Sequence, residues 1–180
     1  QASRKEDDVP ARAWCEAGKE LVVSKEILLA IHGHFYQPPR ENPRTGDIEI
    51  QESAAPDHDW NEKIHRECYA PNTQAQVLDR KGEVLKTVNN FRTISFNVGP
   101  TLLEWLREKH PETYQAVLEA DRSSRAQHKG HGNAIAQVYN HMIMPLASRQ
   151  DQITQVKWGV FEFRLRFERE PEGLWLPETA

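Results

Sequence analysis

The residues of this sequence best suited to chemistry come in four small groups, each where an apolar segment gives out. "AIHGHF" carries His32 and His34, two imidazoles separated by one glycine. "ISFNV" ends its apolar run beside Asn97, and "VYNHMIMP" carries Tyr139, Asn140 and His141. The fourth stretch, "GLWLPETA", leads from Leu174, Trp175 and Leu176 through Pro177 to Glu178. Imidazole titrates near neutral pH and both donates and accepts hydrogen bonds, so histidines suit proton handling and hydroxyl binding. A carboxylate that follows directly on a buried apolar segment is costly unless it is paired or used. Glu178 therefore reads as a functional group.

Each of these residues also has a plainer reading. A histidine at a strand end is commonly a hydrogen-bonded structural group, and Trp175 is as readily core packing as a platform for a sugar ring. A metal is a further reading, because His32, His34, His131 and His141, with Asp57, His58 and Asp59 nearby in sequence, are all ligand types. It is not adopted. The His-x-His pair is expected to face one way only if the strand bends there. No cofactor is expected: there is no GxSxG elbow, no Walker phosphate loop, and "GHGN" lacks the glycines of a dinucleotide fingerprint.

Elements must bring these groups together. "EILLAIHGHF" is a short unalternated apolar run, which predicts a strand buried on both faces. A long loop rich in Pro, Gly and Asp follows. Asp59 is placed to cap a helix over "WNEKIHRECY", with Trp60, Ile64 and Cys68 on one face. The stretch up to Asn90 has no clear assignment. "RTISFNV" predicts the second strand and "LLEWLREKH" a helix. Pro111 opens another helix, whose buried stripe is Tyr114, Val117 and Leu118. A third strand region spans "GHGNAIAQVYNHMIMPL". Ile153, Val156, Val160, Phe163 and Phe167 then step by three and four, the period of a helix, before "GLWLPE" makes a fourth strand. The alternation argues for an α/β protein with a parallel sheet or barrel, whose sites form at the carboxyl ends of the strands. Each predicted strand delivers one of the four groups at that end.

Composition narrows the function. With 180 residues and 38% hydrophobic content the chain can bury a real core. A net charge of -4 without long single-sign runs argues against nucleic-acid binding. No segment is long and apolar enough to span a membrane. Cys15 and Cys68 read as free thiols in a reducing, cytoplasmic setting. The sequence begins at Gln1 rather than Met and reads as part of a longer protein, with residues 1–25 as a polar lead-in and 26–180 as the N-terminal part of a catalytic barrel.

"HGHFYQPPREN", "NHMIMPL" and "GLWLPETA", in that order, resemble the N-terminal half of the catalytic domain of glycoside hydrolase family 57, which includes α-amylases, 4-α-glucanotransferases and branching enzymes. "SAAPDHDWNEKIHRECYAPN" and "SFNVGPTLLEWL" look like a less characterised branch. The resemblance spans about residues 26 to 180. It implies an incomplete parallel (β/α)7 barrel, made of its first four strands and intervening helices, and a retaining mechanism on α-glucans or maltooligosaccharides. Glu178 matches the family's nucleophile. His34, followed by Gln37 and Pro38, matches its first motif, with His32 as the neighbouring candidate, and His141 matches the second. These histidines would bind sugar hydroxyls, and Trp175 and Trp60 could line the site. The acid/base aspartate belongs to a fourth motif that nothing in 1–180 matches, so the chain alone is expected to be inactive. Two rival readings are a metal-dependent carbohydrate hydrolase or deacetylase and a non-catalytic carbohydrate-binding relic. Neither the balance of hydrolysis and transfer nor the oligomeric state is legible.

Overall fold

A computed structural model describes residues 27–179. The predicted lead-in and Cys15 lie outside them. Six strands are present: β1 (His32–Phe35), β2 (Ala75–Leu78), β3 (Val84–Val88), β4 (Ser95–Val98), β5 (Ala136–Gln137) and β6 (Leu174–Trp175). The helices are α1 (Trp60–Ile64), α2 (Ala70–Thr73), α3 (Pro100–Lys109), α4 (Pro111–Gln127) and α5 (Arg149–Phe167).

Four of the strands lie side by side in chain order, all parallel. β1 pairs with β4, setting His32 opposite Ser95 and His34 opposite Asn97. β4 continues onto the next segment through a parallel bridge between Phe96 and Ala134. The Phe96 N–H donates to the Asn133 carbonyl at 2.9 Å, and the Ile135 N–H donates to the Phe96 carbonyl at 2.8 Å. β5 then pairs with β6. Helices fill each connection, so the chain is a mixed α/β protein with small parallel sheets and no closed barrel among the described residues.

Several sequence expectations need correction. The ladder starts at His32, and Ile27, Leu28 and Leu29 are 92%, 82% and 86% exposed rather than buried in a strand. The reason is the partner. Its first ladder contact is the Ser95 N–H on the Ile31 carbonyl, and a tight helical turn over Asn90–Arg92 precedes it, so no described strand lies alongside 27–30. The unassigned stretch before Asn90 forms the antiparallel hairpin β2–β3. Its turn is made by the Asp79 carboxylate, which accepts from the N–H groups of Lys81 (2.7 Å) and Glu83 (2.9 Å).

Asp59 does cap α1, accepting from the N–H groups of Asn61 (2.8 Å) and Glu62 (3.1 Å). The helix runs through a π-helical turn, His65–Tyr69, into α2. Its buried line is Asn61, His65, Tyr69 and Thr73, one step round from the expected Trp60, Ile64 and Cys68, which are half-buried. A line with three polar members can be buried because its side chains find partners. Asn61 accepts from Arg40, His65 pairs with Thr113, and the Tyr69 hydroxyl accepts from Gln37. Burial pushes the Tyr69 hydroxyl up to about 12. Arg40 also reaches the side-chain oxygens of Gln37 (2.8 Å) and Gln51 (3.4 Å), which ties the long Pro-rich loop down onto α1.

Tyr114, Val117 and Leu118 are buried as expected, with Leu102, Leu103 and Leu106 of α3 and Phe91 and Phe96 beside them. On α5 only Phe163 and Phe167 of the expected stripe are buried. The line facing the sheet is Gln155, Gly159, Phe163 and Phe167, while Ile153 is 37% exposed and Trp158, Phe161 and Leu165 face outward. The helix is turned this way because it crosses β5 at Gly159, where a Cβ would run into the Gln137 carbonyl. Beyond α5, Arg169 grips the buried Asp121 of α4 with two nitrogens, at 2.8 and 3.0 Å, and donates to the Ala134 carbonyl at 2.7 Å. The Ala134 N–H in turn donates to Asp121 at 2.9 Å. One ion pair thereby ties the interior of α4 and the end of α5 to the middle of the sheet. No helix among the described residues is long and apolar enough to cross a membrane.

Candidate active site

The site assembles around Asn97, a fully buried residue of β4. Its Nδ2 donates to His34 Nδ1 at 2.8 Å and to Gln137 Oε1 at 2.6 Å. Its Oδ1 lies 2.9 Å from His32 Nε2. These contacts fix the protons of three imidazoles. His34 Nδ1 accepts, so in the neutral ring its proton sits on Nε2, which points at His141 Nε2 at 2.9 Å. His141 accepts there and carries its own proton on Nδ1. His32 donates from Nε2 to Asn97, and its Nδ1 accepts from the Ser95 hydroxyl at 2.8 Å. One amide thereby orders a line of hydrogen bonds from Ser95 to His141.

Burial holds His34 below the ordinary histidine value of 6.5. His141 and His32 press it further down, and the Glu178 charge opposes them. The balance favours the neutral ring that the hydrogen-bond line requires. It also places Glu178 within electrostatic reach of His34.

Aromatic rings close the arrangement. His32 and His34 both stack on Trp175 with ring centroids 5.0 Å away. Tyr36 stacks on His141 at 4.1 Å. β1 and β6 are the outer strands of the four, and on a flat sheet three spacings of ~4.8 Å would separate them by ~14 Å. Their side chains nonetheless meet over Asn97 and Gln137, so this face of the sheet is concave. No bend is needed for His32 and His34 to share it, contrary to the sequence expectation, because residues two apart in a strand point the same way. Gly33 between them has its α-carbon against Phe35, where a Cβ would come within 2.6 Å of the ring.

His141 and Glu178 share a backbone feature. Each is in the left-handed region, with φ of 54° and 55°, a conformation only two other non-glycine residues adopt among those described. Glycine takes it freely, and a larger residue is held there at a cost of roughly 1–3 kcal/mol. From its turn His141 reaches His34 on β1, and Glu178 lies within electrostatic reach of the same ring.

Other sequence candidates lie elsewhere. Tyr139 packs edge-on against Trp158, and the Asn140 N–H donates to Gln155 of α5. His131 pairs with Glu172 at 2.9 Å, and Asp57 pairs with Arg66. The ligand set considered for a metal is therefore not gathered, since His131, Asp57 and Asp59 each serve another partner. Trp60 donates to Ser53 and carries Lys63 over its ring. Ser95, Gln137 and Tyr36 are site residues that sequence reasoning missed. Ser95 was within reach of it, since it sits two residues before Asn97 and so shares its face. Gln137 is the single polar side chain in "AIAQV", a signal in its own right.

The family model of glycosyl hydrolase family 57 matches residues 26–180. The chain belongs to that family. No curated protein and no solved structure gives a match. Glycosyl hydrolase family 57 membership makes this a carbohydrate-active enzyme chain with α-glucan as its substrate class, and it implies a (β/α)7 barrel. The parallel order of β1, β4, β5 and β6 and their concave inner face agree with an arc of such a barrel. The resemblance read from "HGHFYQPPREN", "NHMIMPL" and "GLWLPETA" falls within the matched span.

Proposed function

We propose that the chain carries the nucleophile-bearing part of a retaining α-glucan active site, with Glu178 as the nucleophile. The observation that carries this is the shared left-handed turn of His141 and Glu178. The two lie past neighbouring strand ends, His141 bonded to His34 and the Glu178 charge within reach of it, in a chain of glycosyl hydrolase family 57.

In this mechanism the Glu178 carboxylate attacks the anomeric carbon while the bond to the leaving sugar oxygen breaks. A glycosyl ester forms on the enzyme, and water or a second sugar hydroxyl resolves it. His34 and His141 meet sugar hydroxyls beside that carbon, and the lowered His34 keeps the neutral ring that can both donate and accept. Asn97 holds His34 in register. Trp175 backs both imidazoles. Its indole N–H is buried without an acceptor among the described residues, a donor that a sugar hydroxyl would satisfy. The second carboxyl of a retaining pair stands ~5–5.5 Å from the first. No residue of 1–180 matches the family's acid/base motif, and by this reading the 180-residue chain alone does not turn over.

The test is Glu178→Gln in the intact enzyme containing this chain, assayed on amylose and maltooligosaccharides. The amide preserves shape and removes nucleophilicity, so a loss of about 10³-fold or more in kcat is expected. Retained activity would make Glu178 structural. The product ladder of the unaltered enzyme separates hydrolysis from transfer.

A further inference from the structure

A second group of titratable side chains lies where the α1 segment meets the junction of α3 and α4, and it shares no residue with the site above. Glu62 and His65 are three residues apart on one helical face. His110 comes from the one-residue hinge between α3 and α4. One ligand atom from each of the three lies within 4.8 Å of the others. Glu62 Oε2 is 2.9 Å from His110 Nε2, and the two imidazoles stack with centroids 3.5 Å apart.

His65 is held by its other nitrogen, while that of His110 has a charged neighbour beyond hydrogen-bond distance. His65 Nε2 is 2.9 Å from the Thr113 hydroxyl, which leaves Nδ1 facing the group. His110 Nδ1 is 3.7 Å from Glu112, a carboxylate on the side away from Glu62. Metal-binding histidines are oriented as His65 is, with the second ring nitrogen donating to an oxygen outside the coordination sphere. The ring of Trp105 packs 6.0 Å from His65 and 4.9 Å from His110, an apolar wall on one side. On the other, Glu62 opens onto a cavity of about 390 Å³ that Asp59, Trp105 and Glu108 also line. This gives access from solvent and room for a water ligand.

We propose that Glu62, His65 and His110 form a binding site for a borderline divalent transition-metal ion, with zinc as the best-suited occupant. Two imidazoles and one carboxylate with an open fourth position are a ligand set that zinc accepts tetrahedrally, whereas magnesium and calcium prefer all-oxygen sites. Binding has to splay the two rings, whose planes are 20° apart, so that both aim at one ion. The ion would clamp the α1 segment to the α3–α4 hinge.

The experiment titrates the metal-free intact enzyme containing this chain with zinc and follows the histidine ring signals by proton–nitrogen NMR, with calorimetry for stoichiometry. One equivalent is expected to bind, shifting the His65 and His110 rings and leaving His34 and His141 unmoved. Glu62→Gln and His110→Gln should each weaken binding by at least the roughly tenfold that loss of an outer-sphere partner costs. Ring shifts at His34 or His141 instead, unaltered binding by both variants, or no saturable binding would each overturn the proposal. The last outcome would leave the Glu62–His110 contact as an ion pair only. The NMR assignment reads the site directly, so the result stands even if one variant fails to fold.

Discussion

Asn97 has no chemistry of its own, yet it decides where the protons of three imidazoles sit. Asn97→Asp keeps the shape and removes the donor, so His34 Nδ1 would face a carboxylate and would have to carry a proton. His34 should then protonate at higher pH than in the unaltered protein, and the acid limb of kcat/KM in the intact enzyme should move upward with it. Loss of a buried hydrogen bond to a reacting group is worth about tenfold to a hundredfold in kcat/KM. Histidine ring NMR checks the first part and a pH–rate profile the second. An unmoved His34 would show that the amide does not set its protonation. The strand-end logic of the sequence singled out His34, Asn97, His141 and Glu178 individually. It passed over Ser95 and Gln137, whose positions on the site face were readable but whose partners depend on which strands are neighbours and in what register.

The elements are positioned by two close contacts. Gly159 lets α5 lie against the backbone of β5. In a helix interior, alanine is ordinarily better than glycine by about 1 kcal/mol. Here the added methyl would meet a backbone carbonyl that cannot swing aside, and overpacking of this kind costs about 1–3 kcal/mol. Gly159→Ala is therefore expected to destabilise, read as a lower urea midpoint. A gain in stability would mean that α5 sits further out. The Asp121–Arg169 pair is the second contact, and it is buried on both sides. Asp121→Ala leaves the guanidinium uncompensated and should cost about 3–5 kcal/mol by urea unfolding. The α5 stripe shows why helix faces are hard to read from sequence. The apolar line read from the 3.6-residue period and the buried line share Phe163 and Phe167, but the close contact at Gly159 turns Gln155 and Gly159 to the sheet in place of Ile153, Val156 and Val160. The β2–β3 hairpin escaped because its residues are largely exposed on both faces, which leaves no alternation to detect.

For the whole molecule, three titratable groups shape the pH range of stability, His34 on the exposed concave face and His65 and Tyr69 buried. His34 and His65 are both held below 6.5, mainly by burial. The unfolded chain then binds more protons than the folded one below that value. Their contribution is complete above about pH 6.5 and falls as the pH drops toward the lowered folded values. Tyr69 works in the opposite sense, raised from 10.0 to about 12, so its contribution is complete below pH 10 and declines from there toward 12. Urea midpoints should be lower at about pH 5 than at about pH 7.5, and His65→Gln should shrink that difference. An equal difference in the variant would remove His65 from the account. At this scale the alternation of strands and helices was readable from periodicity alone. The concave face was not, since it arises from how four short parallel segments curve together.

The central claim is that Glu178 forms the covalent bond to sugar. The most direct measurement treats the intact enzyme containing this chain with an activated fluoroglycoside of α-glucose, whose fluoride departs without help from an acid, and locates the label by peptide mass spectrometry. A glycosyl group on the peptide containing "LWLPETA", mapped to Glu178 and absent from Glu178→Gln, is the predicted result. A label on another carboxylate, or turnover with no covalent species in either protein, would contradict it.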